Sequence, residues 1–330
     1  MANIAVLGAG SWGTALALQL ARNAHNITLW AHRREHAAAL GEARENRRYL
    51  PGIPLPPNLT VSDDLAASVR AAELILAVVP SRAFAGLLAD LKPHLRHAPL
   101  MWAIKGFEAG SGRLLTDVFR DALGDHPHAI LAGPSFAKEV AAGLPTAVTI
   151  AAHDDNLAQT FAQHFHGSNF LCYTSTDLTG IQIGGAVKNV IAIATGIADG
   201  LGCGANARAA LITRGLREIT RLATALGAQE ETLTGLAGMG DLVLTCTDDQ
   251  SRNRRFGLAL GRGDSAEAAK AAIGQTVEGE GATHDTYALA QQHGIRMPIT
   301  EHLHQMLAGN RSLEDTFTSL LNRQIKQERH

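Results

Sequence analysis

The sequence lacks most of the features that commit a chain to a specialised setting. It carries three cysteines in 330 residues, Cys172, Cys203 and Cys246, widely spaced and without a Cys-x-x-Cys pair. An odd number at that spacing argues against a disulfide framework or a thiolate metal site, and the expected compartment is the reducing cytoplasm. Neither sign of charge prevails: 29 basic residues face 31 acidic ones, for a formal net charge of −2. No global field therefore attracts nucleic acid or an anionic membrane, and any anionic ligand must be caught by a local cluster. Aromatic residues make up only 5% of the chain and do not interleave with its basic runs, so no stacking platform for single-stranded nucleic acid is expected. Uninterrupted apolar runs fall far short of the roughly 18 residues of a membrane span. The first residues, Met-Ala-Asn-Ile-Ala-Val-Leu-Gly, have no basic region ahead of their apolar run and read as a strand rather than a signal peptide. Histidine is plentiful, but His32 and His36 are separated by two arginines that repel a cation, and no metal site is expected.

What is present is a strong N-terminal pattern. Residues 4–7 are an apolar strand, followed by Gly8-Ala-Gly10-Ser11-Trp12-Gly13 and then the helical run Thr-Ala-Leu-Ala-Leu-Gln-Leu-Ala-Arg. A GxGxxG between a first strand and a first helix meets the demands of dinucleotide binding. The turn is sharp, the backbone can approach a pyrophosphate, the helix can pack closely on the strand, and the helix N-terminus meets the phosphates. A second strand at 27–30 ends in Trp30-Ala-His32-Arg33-Arg-Glu35, where an NAD-only enzyme usually places an acid to read the ribose 2′-hydroxyl. Cations at His32 and Arg33 suit a 2′-phosphate, so NADP(H) is favoured and NAD(H) stays open; the alternative is a solvated basic turn.

Strands follow at 74–79, 100–104, 129–132 and 147–151, separated by helices at 84–95 and 114–123. This alternation predicts a doubly wound, mainly parallel α/β sheet. Ligands of such sheets lie beyond the carboxyl ends of the strands, which puts Lys105 and the loop Gly133-Pro-Ser135-Phe-Ala137 at the site by topology. After a helix at 155–166 the alternation is expected to stop and the rest to be helical. The predicted boundary lies near Gly180, giving domains 1–180 and 181–330, in keeping with roughly 150 residues per domain. No linker rich in proline or serine separates them, so the site is expected between two tightly packed domains. In the second half, Ile212, Leu216, Ile219, Ala223 and Leu226 form one helical face, with Arg214, Arg217, Glu218 and Arg221 outside it and Gly227 closing the helix.

Three clusters in that half carry chemistry. Lys188 stands alone in the uncharged segment Gly184-Gly-Ala-Val-Lys-Asn-Val-Ile-Ala-Ile-Ala-Thr-Gly196. It either snorkels to water or is desolvated, and desolvation would bring its pKa towards the range useful for proton transfer. Asp241 follows a flexible Gly-Met-Gly and reads either as a site carboxylate or as a helix N-cap. Ser251-Arg252-Asn253-Arg-Arg255 gathers donors suited to a phosphate dianion, or forms a solvated turn.

Together GAGSWG, Lys105-Gly106, GPSFAKE, GGAVKNV, GANARAALITRG, GMGDLVLTCT and SRNRRFG resemble, in order and over nearly the whole chain, the bacterial NAD(P)-dependent glycerol-3-phosphate dehydrogenases. The resemblance implies a Rossmann domain followed by an all-helical domain of the 6-phosphogluconate dehydrogenase type. It implies interconversion of sn-glycerol 3-phosphate and dihydroxyacetone phosphate in support of glycerophospholipid synthesis. By position it makes Lys188 the general acid/base and Lys105, Gly133, Ser135, Asp241, Ser251, Arg252 and Asn253 the substrate contacts. Cofactor contacts would be Ser11, Trp12, His32, Arg33, Lys105, Ala137, Arg252, Thr276 and Glu278, with the nicotinamide between the domains. Whether Asp241 meets substrate hydroxyls or holds Lys188 is left open. The partner is then a small phosphorylated molecule, and base rates of assembly suggest a homodimer. The competing readings are a 3-hydroxyacid or 6-phosphogluconate type dehydrogenase, which would not require the 251–253 cluster, and a non-catalytic NADP(H)-sensing module.

Overall fold

The computed structural model describes residues 1–316. The end of the second predicted domain, 317–330, lies outside the described residues. Strands, numbered in chain order, are β1 (Asn3–Leu7), β2 (Asn26–Trp30), β3 (Glu45–Asn46), β4 (Leu50–Pro54), β5 (Leu59–Ser62), β6 (Leu74–Ala77), β7 (Leu100–Trp102), β8 (His128–Ala132), β9 (Thr146–Ala152) and β10 (Phe170–Ser175). Eight of them form one sheet in the order β10-β9-β8-β7-β6-β1-β2-β5, and β3 and β4 form a separate hairpin. All neighbours in the large sheet run parallel except β8 and β9. Strands such as Ile4-Ala-Val-Leu7 and Leu74-Ile-Leu-Ala77 are apolar without alternation because both sheet faces are covered. One face packs on helices Ser11–Arg22 and Asp155–Phe165 through Leu16, Leu20, Phe161 and Phe165. The other packs on Phe84–Leu91 and Leu115–Leu123 around Phe84, Trp102 and Phe119. The chain leaves β1 for β2 on one side and reaches β6 on the other, so the crevice at the carboxyl end of β1 is the switch point where such sheets bind ligands.

The helical part is built around Leu178–Gly200, buried from Gly180 to Ala198. Long and apolar enough to cross a membrane despite its short uninterrupted runs, it lies wholly inside the protein. Its first turn belongs to the sheet side, where Ile181 joins the second sheet core and Gln182 caps helix Leu115–Leu123 through the Thr116 amide. Its remainder carries the third core, from Ile183 to Ala198. Helix Arg252–Gly261 crosses it backbone to backbone. A Cβ on Gly196 would lie 2.2 Å from the Arg254 carbonyl oxygen, and one on Gly257 2.1 Å from that of Ile193.

Several sequence expectations need correction. The strand–helix alternation does not stop after the helix at 155–165; β10 follows and pairs parallel with β9 at the sheet edge. Its Leu171 and Tyr173 are exposed and Cys172 is half-buried, so the strand lacks the apolar run that marks the central ones. The 45–54 hairpin, with Pro51, Gly52 and Pro54 in its second strand, was not anticipated either. Helix Phe84–Leu91 ends ahead of the predicted 95 because Pro93 cannot continue it.

The largest correction concerns Glu218, predicted on the solvent face of helix Gly204–Ala225 but only 4% exposed. The buried stripe runs through Leu211, Gly215, Glu218, Ile219 and Leu222 instead. Glu218 turns inward to accept hydrogen bonds from the Ile299 amide at 2.7 Å and from the Thr300 amide and hydroxyl at 3.3 Å. It thus serves as the N-terminal anion of helix Pro298–Leu307, a cap supplied by another helix.

Burial pushes the Glu218 carboxyl up to about 7 against the pull of those donors. Between its unfolded value near 4.5 and about 7 the folded state binds the extra proton, so this group's contribution to stability is present at low pH and fades as pH rises through that window. Thermal unfolding of wild type and Glu218→Gln at pH 5 and pH 8 should therefore show the variant gaining on wild type at the higher pH, by on the order of 2–3 kcal/mol. A difference independent of pH would show that Glu218 does not titrate in this range.

Candidate active site

At the carboxyl end of β1 the chain turns through Gly8 into helix Ser11–Arg22. Gly8 has φ +124°, and a Cβ on Gly13 would sit 1.8 Å from the Gly8 carbonyl oxygen, so the turn tolerates glycine alone at these two points. Gly10 has open space around it, and no side chain caps the helix. Among the described residues the Trp12 indole N–H is buried without a partner. Uncapped amides, an unfilled approach and an orphan donor are the features of a turn built to receive a pyrophosphate.

Ser11 donates to the Tyr49 carbonyl at 2.8 Å, tying the hairpin onto the glycine turn. Arg33 is exposed and reaches the Tyr49 hydroxyl at 3.2 Å, while Arg48 lies over the Tyr49 ring at 5.1 Å. His32 is exposed and stands edge-on to Trp30, whereas His36 binds the Ala9 carbonyl at 3.0 Å. The residues fit a dinucleotide, and the cations beyond β2 can meet a 2′-phosphate.

Across the sheet end, three charged side chains from distant segments converge. Lys188, on the central helix and 6% exposed, donates to Asp241 Oδ1 at 2.5 Å and to Thr245 Oγ1 at 2.8 Å. Lys105, just beyond β7, donates to Asp241 Oδ2 at 2.7 Å and to the Gly133 carbonyl at 3.2 Å. Each ammonium has three donors and commits two, leaving one for a ligand. Asp241 is not the N-cap that its position allowed; it opens helix Asp241–Thr247 and receives both lysines, so it holds Lys188. A π-helical turn, Leu236–Gly240, delivers it there. That turn needs glycine, since a Cβ on Gly238 would lie 2.1 Å from the Leu233 carbonyl oxygen.

The electrostatics follow from burial. Desolvation lowers the Lys188 ammonium to about 8, with the Asp241 carboxylate opposing and the Lys105 charge assisting. Asp241 itself would be driven up by burial, but the two ammoniums outweigh that and hold it below the usual carboxylate range. Of the two sequence readings of Lys188, the desolvated one holds.

The remaining predicted residues divide. Ser135 donates to the Gly133 carbonyl at 2.9 Å, so this loop shares an acceptor with Lys105, and Ala137 opens the short helix behind it. Ser251 caps helix Arg252–Gly261 by accepting from the Arg254 amide at 3.2 Å. Asn253 is buried between Asn189 at 2.9 Å and the Gly279 amide at 3.0 Å. Arg252 is half-buried, and burial raises the Glu278 carboxyl while the charges of Arg252, Lys188 and Lys105 oppose that rise. Thr276 is exposed in the turn ahead of Glu278 and makes no side-chain hydrogen bond among the described residues. Arg254, read with Arg252 and Arg255 as one phosphate cluster, is already committed to ion pairs with the largely buried Asp199 and the exposed Asp249, while Arg255 is exposed.

Thr245 and Asn189 were missed as site residues. Thr245 was within reach of sequence reasoning, since it lies one helical turn after Asp241. Among the described residues no group of three His, Cys, Asp or Glu side chains is placed to hold a metal.

A dinucleotide turn on one side and a desolvated proton donor on the other are the two halves of hydride-transfer chemistry, and fold and site together define a two-domain NAD(P)-dependent oxidoreductase. Residues 3–158 match the NAD-dependent glycerol-3-phosphate dehydrogenase N-terminus and residues 177–318 the C-terminus of that family. The chain belongs to the NAD-dependent glycerol-3-phosphate dehydrogenase family. It is 55% identical over 329 residues to a glycerol-3-phosphate dehydrogenase [NAD(P)+] of Haemophilus ducreyi, covering 98% of each chain. It is 52% identical to one of Halorhodospira halophila, again covering 98% of each. The crystal structure of glycerol-3-phosphate dehydrogenase from Coxiella burnetii superposes with a TM-score of 0.95 at 48% identity, over 98% of this chain and 99% of that one.

The cluster predicts its own titration. In wild type, Lys188 should titrate near pH 8 when followed by the ¹³Cε shift of labelled lysine. Asp241→Asn removes the charge hydrogen-bonded to the ammonium that most favours it and should move that titration lower. An unmoved or raised midpoint would show that Asp241 does not set the charge of Lys188.

Proposed function

We propose that this chain interconverts sn-glycerol 3-phosphate and dihydroxyacetone phosphate with NADP(H), or with NAD(H), as cofactor. The observation that carries this reading is the buried Lys188 ammonium, lowered to about 8 and held by Asp241 beside Lys105. Family membership supports the substrate pair. A bound nicotinamide supplies or accepts the hydride at the reacting carbon.

The protein's residues handle the proton and the substrate. As the ketone is reduced, charge develops on its oxygen, and Lys188 gives that oxygen a proton; in the reverse direction the neutral Lys188 amine takes the hydroxyl proton. Lys105, with one uncommitted donor, adds a second positive charge where the alkoxide forms. Asp241 stays ionised and orients both lysines. Arg252, helped by the 251–253 turn, anchors the phosphate, whose binding energy positions the reacting carbon. On the cofactor side the turn from Gly8 through Gly10 to Gly13, with Ser11 and Trp12, receives the pyrophosphate. His32 and Arg33 then read the ribose, and Ala137, Thr276 and Glu278 border the far end. We take the setting to be the cytoplasm, the assembly a homodimer, and the product a precursor for glycerophospholipid synthesis.

Following NADPH oxidation at 340 nm, the protein should turn over dihydroxyacetone phosphate far more efficiently than unphosphorylated dihydroxyacetone. Lys188→Ala should lose roughly 10²- to 10⁴-fold in kcat while still folding and binding cofactor. Because Lys188 must be charged to give its proton, reduction should slow as pH rises through about 8, and oxidation of glycerol 3-phosphate should quicken over the same interval. Equal turnover of both ketones, or an alanine variant near full activity, would overturn the phosphate anchor or the acid/base role respectively.

A further inference from the structure

Arg254 is the most heavily committed charged side chain beside the site, and no step above uses it. Its guanidinium is buried and grips three separate segments. One nitrogen meets Asp199, at the end of the central helix, at 2.6 Å. A second meets Asp249 in the turn that precedes its own helix. Nε donates to the Cys246 carbonyl, at the end of the helix that Asp241 opens, at 3.2 Å. Asp199 is held in turn by Arg208 at 2.8 Å. The planar fork of arginine suits such a three-way grip, and a lysine offers only a point charge.

The location of this grip gives it a consequence. Arg254 lies in the first turn of helix Arg252–Gly261, two residues after Arg252. The helix approaches the central one closely at two points, with the Arg254 carbonyl against Gly196 in this same turn and Gly257 against the Ile193 carbonyl farther along. Beyond that backbone contact, the first turn is held by the Arg254 side chain and by the Asn253 bonds to Asn189 and Gly279. We propose that Arg254 is a positioning residue for phosphate recognition: by gripping Asp199, Asp249 and the Cys246 carbonyl, it holds the turn that carries Arg252. The inference rests on the reading of Arg252 as the phosphate anchor. A purely structural arginine would affect all substrates alike, whereas a positioning one acts selectively on the phosphorylated ketone.

The test compares steady-state kinetics on dihydroxyacetone phosphate with kcat/KM on dihydroxyacetone, at whatever low level the latter is measurable. The proteins are wild type, Arg254→Gln, Arg254→Lys, Asp199→Asn and Arg252→Ala, each checked by thermal melting. Arg254→Gln and Asp199→Asn should raise KM for the phosphorylated ketone by roughly tenfold or more, the scale expected for a misplaced anchor, with dihydroxyacetone activity within about threefold of wild type. Arg254→Lys should fall between wild type and Arg254→Gln. Should Arg254→Gln fail to fold, Asp199→Asn carries the same comparison, since it weakens the grip without emptying the site. Equal losses on both ketones, or an unchanged KM in a folded variant, would overturn the positioning role. If Arg252→Ala also leaves KM unchanged, the phosphate-anchor reading falls, and this inference falls with it.

Discussion

One carboxylate holds the site together. Asp241 is buried and takes Lys188 on one oxygen and Lys105 on the other. A single buried ammonium beside apolar helices would be costly, and so would a lone carboxylate; the trio is tolerable because each charge has a partner at hydrogen-bond distance. Burial lowers Lys188, with the Lys105 charge assisting, while the two ammoniums keep Asp241 ionised, so two cations stand against one anion. The same imbalance leaves the pocket short of one negative charge, which an alkoxide forming in the cleft can provide. Lys105 comes from the sheet and the other two from the helical part, so this interaction also binds the two halves of the molecule.

The geometry around that trio is set by backbone contact. Central helix Leu178–Gly200 is approached on two sides by main chain: by the π-helical turn that delivers Asp241, and by the helix that carries Arg252 and Asn253. At Gly184 a Cβ would lie 2.8 Å from the Ala237 carbonyl oxygen, and at Gly196 2.2 Å from that of Arg254. Close packing of this kind transmits small errors, so the rigidity a proton-transfer site needs is supplied by residues that have no side chain. The buried Glu218 cap and the Arg254 grip complete the pattern. Both polar side chains fasten helix ends, where the backbone leaves donors and acceptors without intrahelical partners.

Much of this was legible in the residues alone. The glycine turn could be read because its spacing, the strand before it and the helix after it are all local. The doubly wound sheet could be read because parallel strands buried on both faces are plain apolar runs. Lys188 was legible by its isolation. Edge strand β10 was hidden because one of its faces is wet, and the 45–54 hairpin because prolines mask its strand character. Glu218 was misplaced because a helical period assigns a charged residue to water unless something beyond the helix has need of it.

What the sequence determined by itself was therefore whatever is encoded over a few residues: the dinucleotide turn, the alternation of strand and helix, and a lysine without a local counter-ion. Only the tertiary structure decided which charges meet. Asp241 and Lys188 are 53 residues apart and Asp241 and Lys105 are 136 apart, and no local period records such a pairing. Nor could Arg252 be told from Arg254 by residue type. A cation is free to bind a ligand or already spent on the fold according to what surrounds it, and those surroundings come from segments remote in the chain.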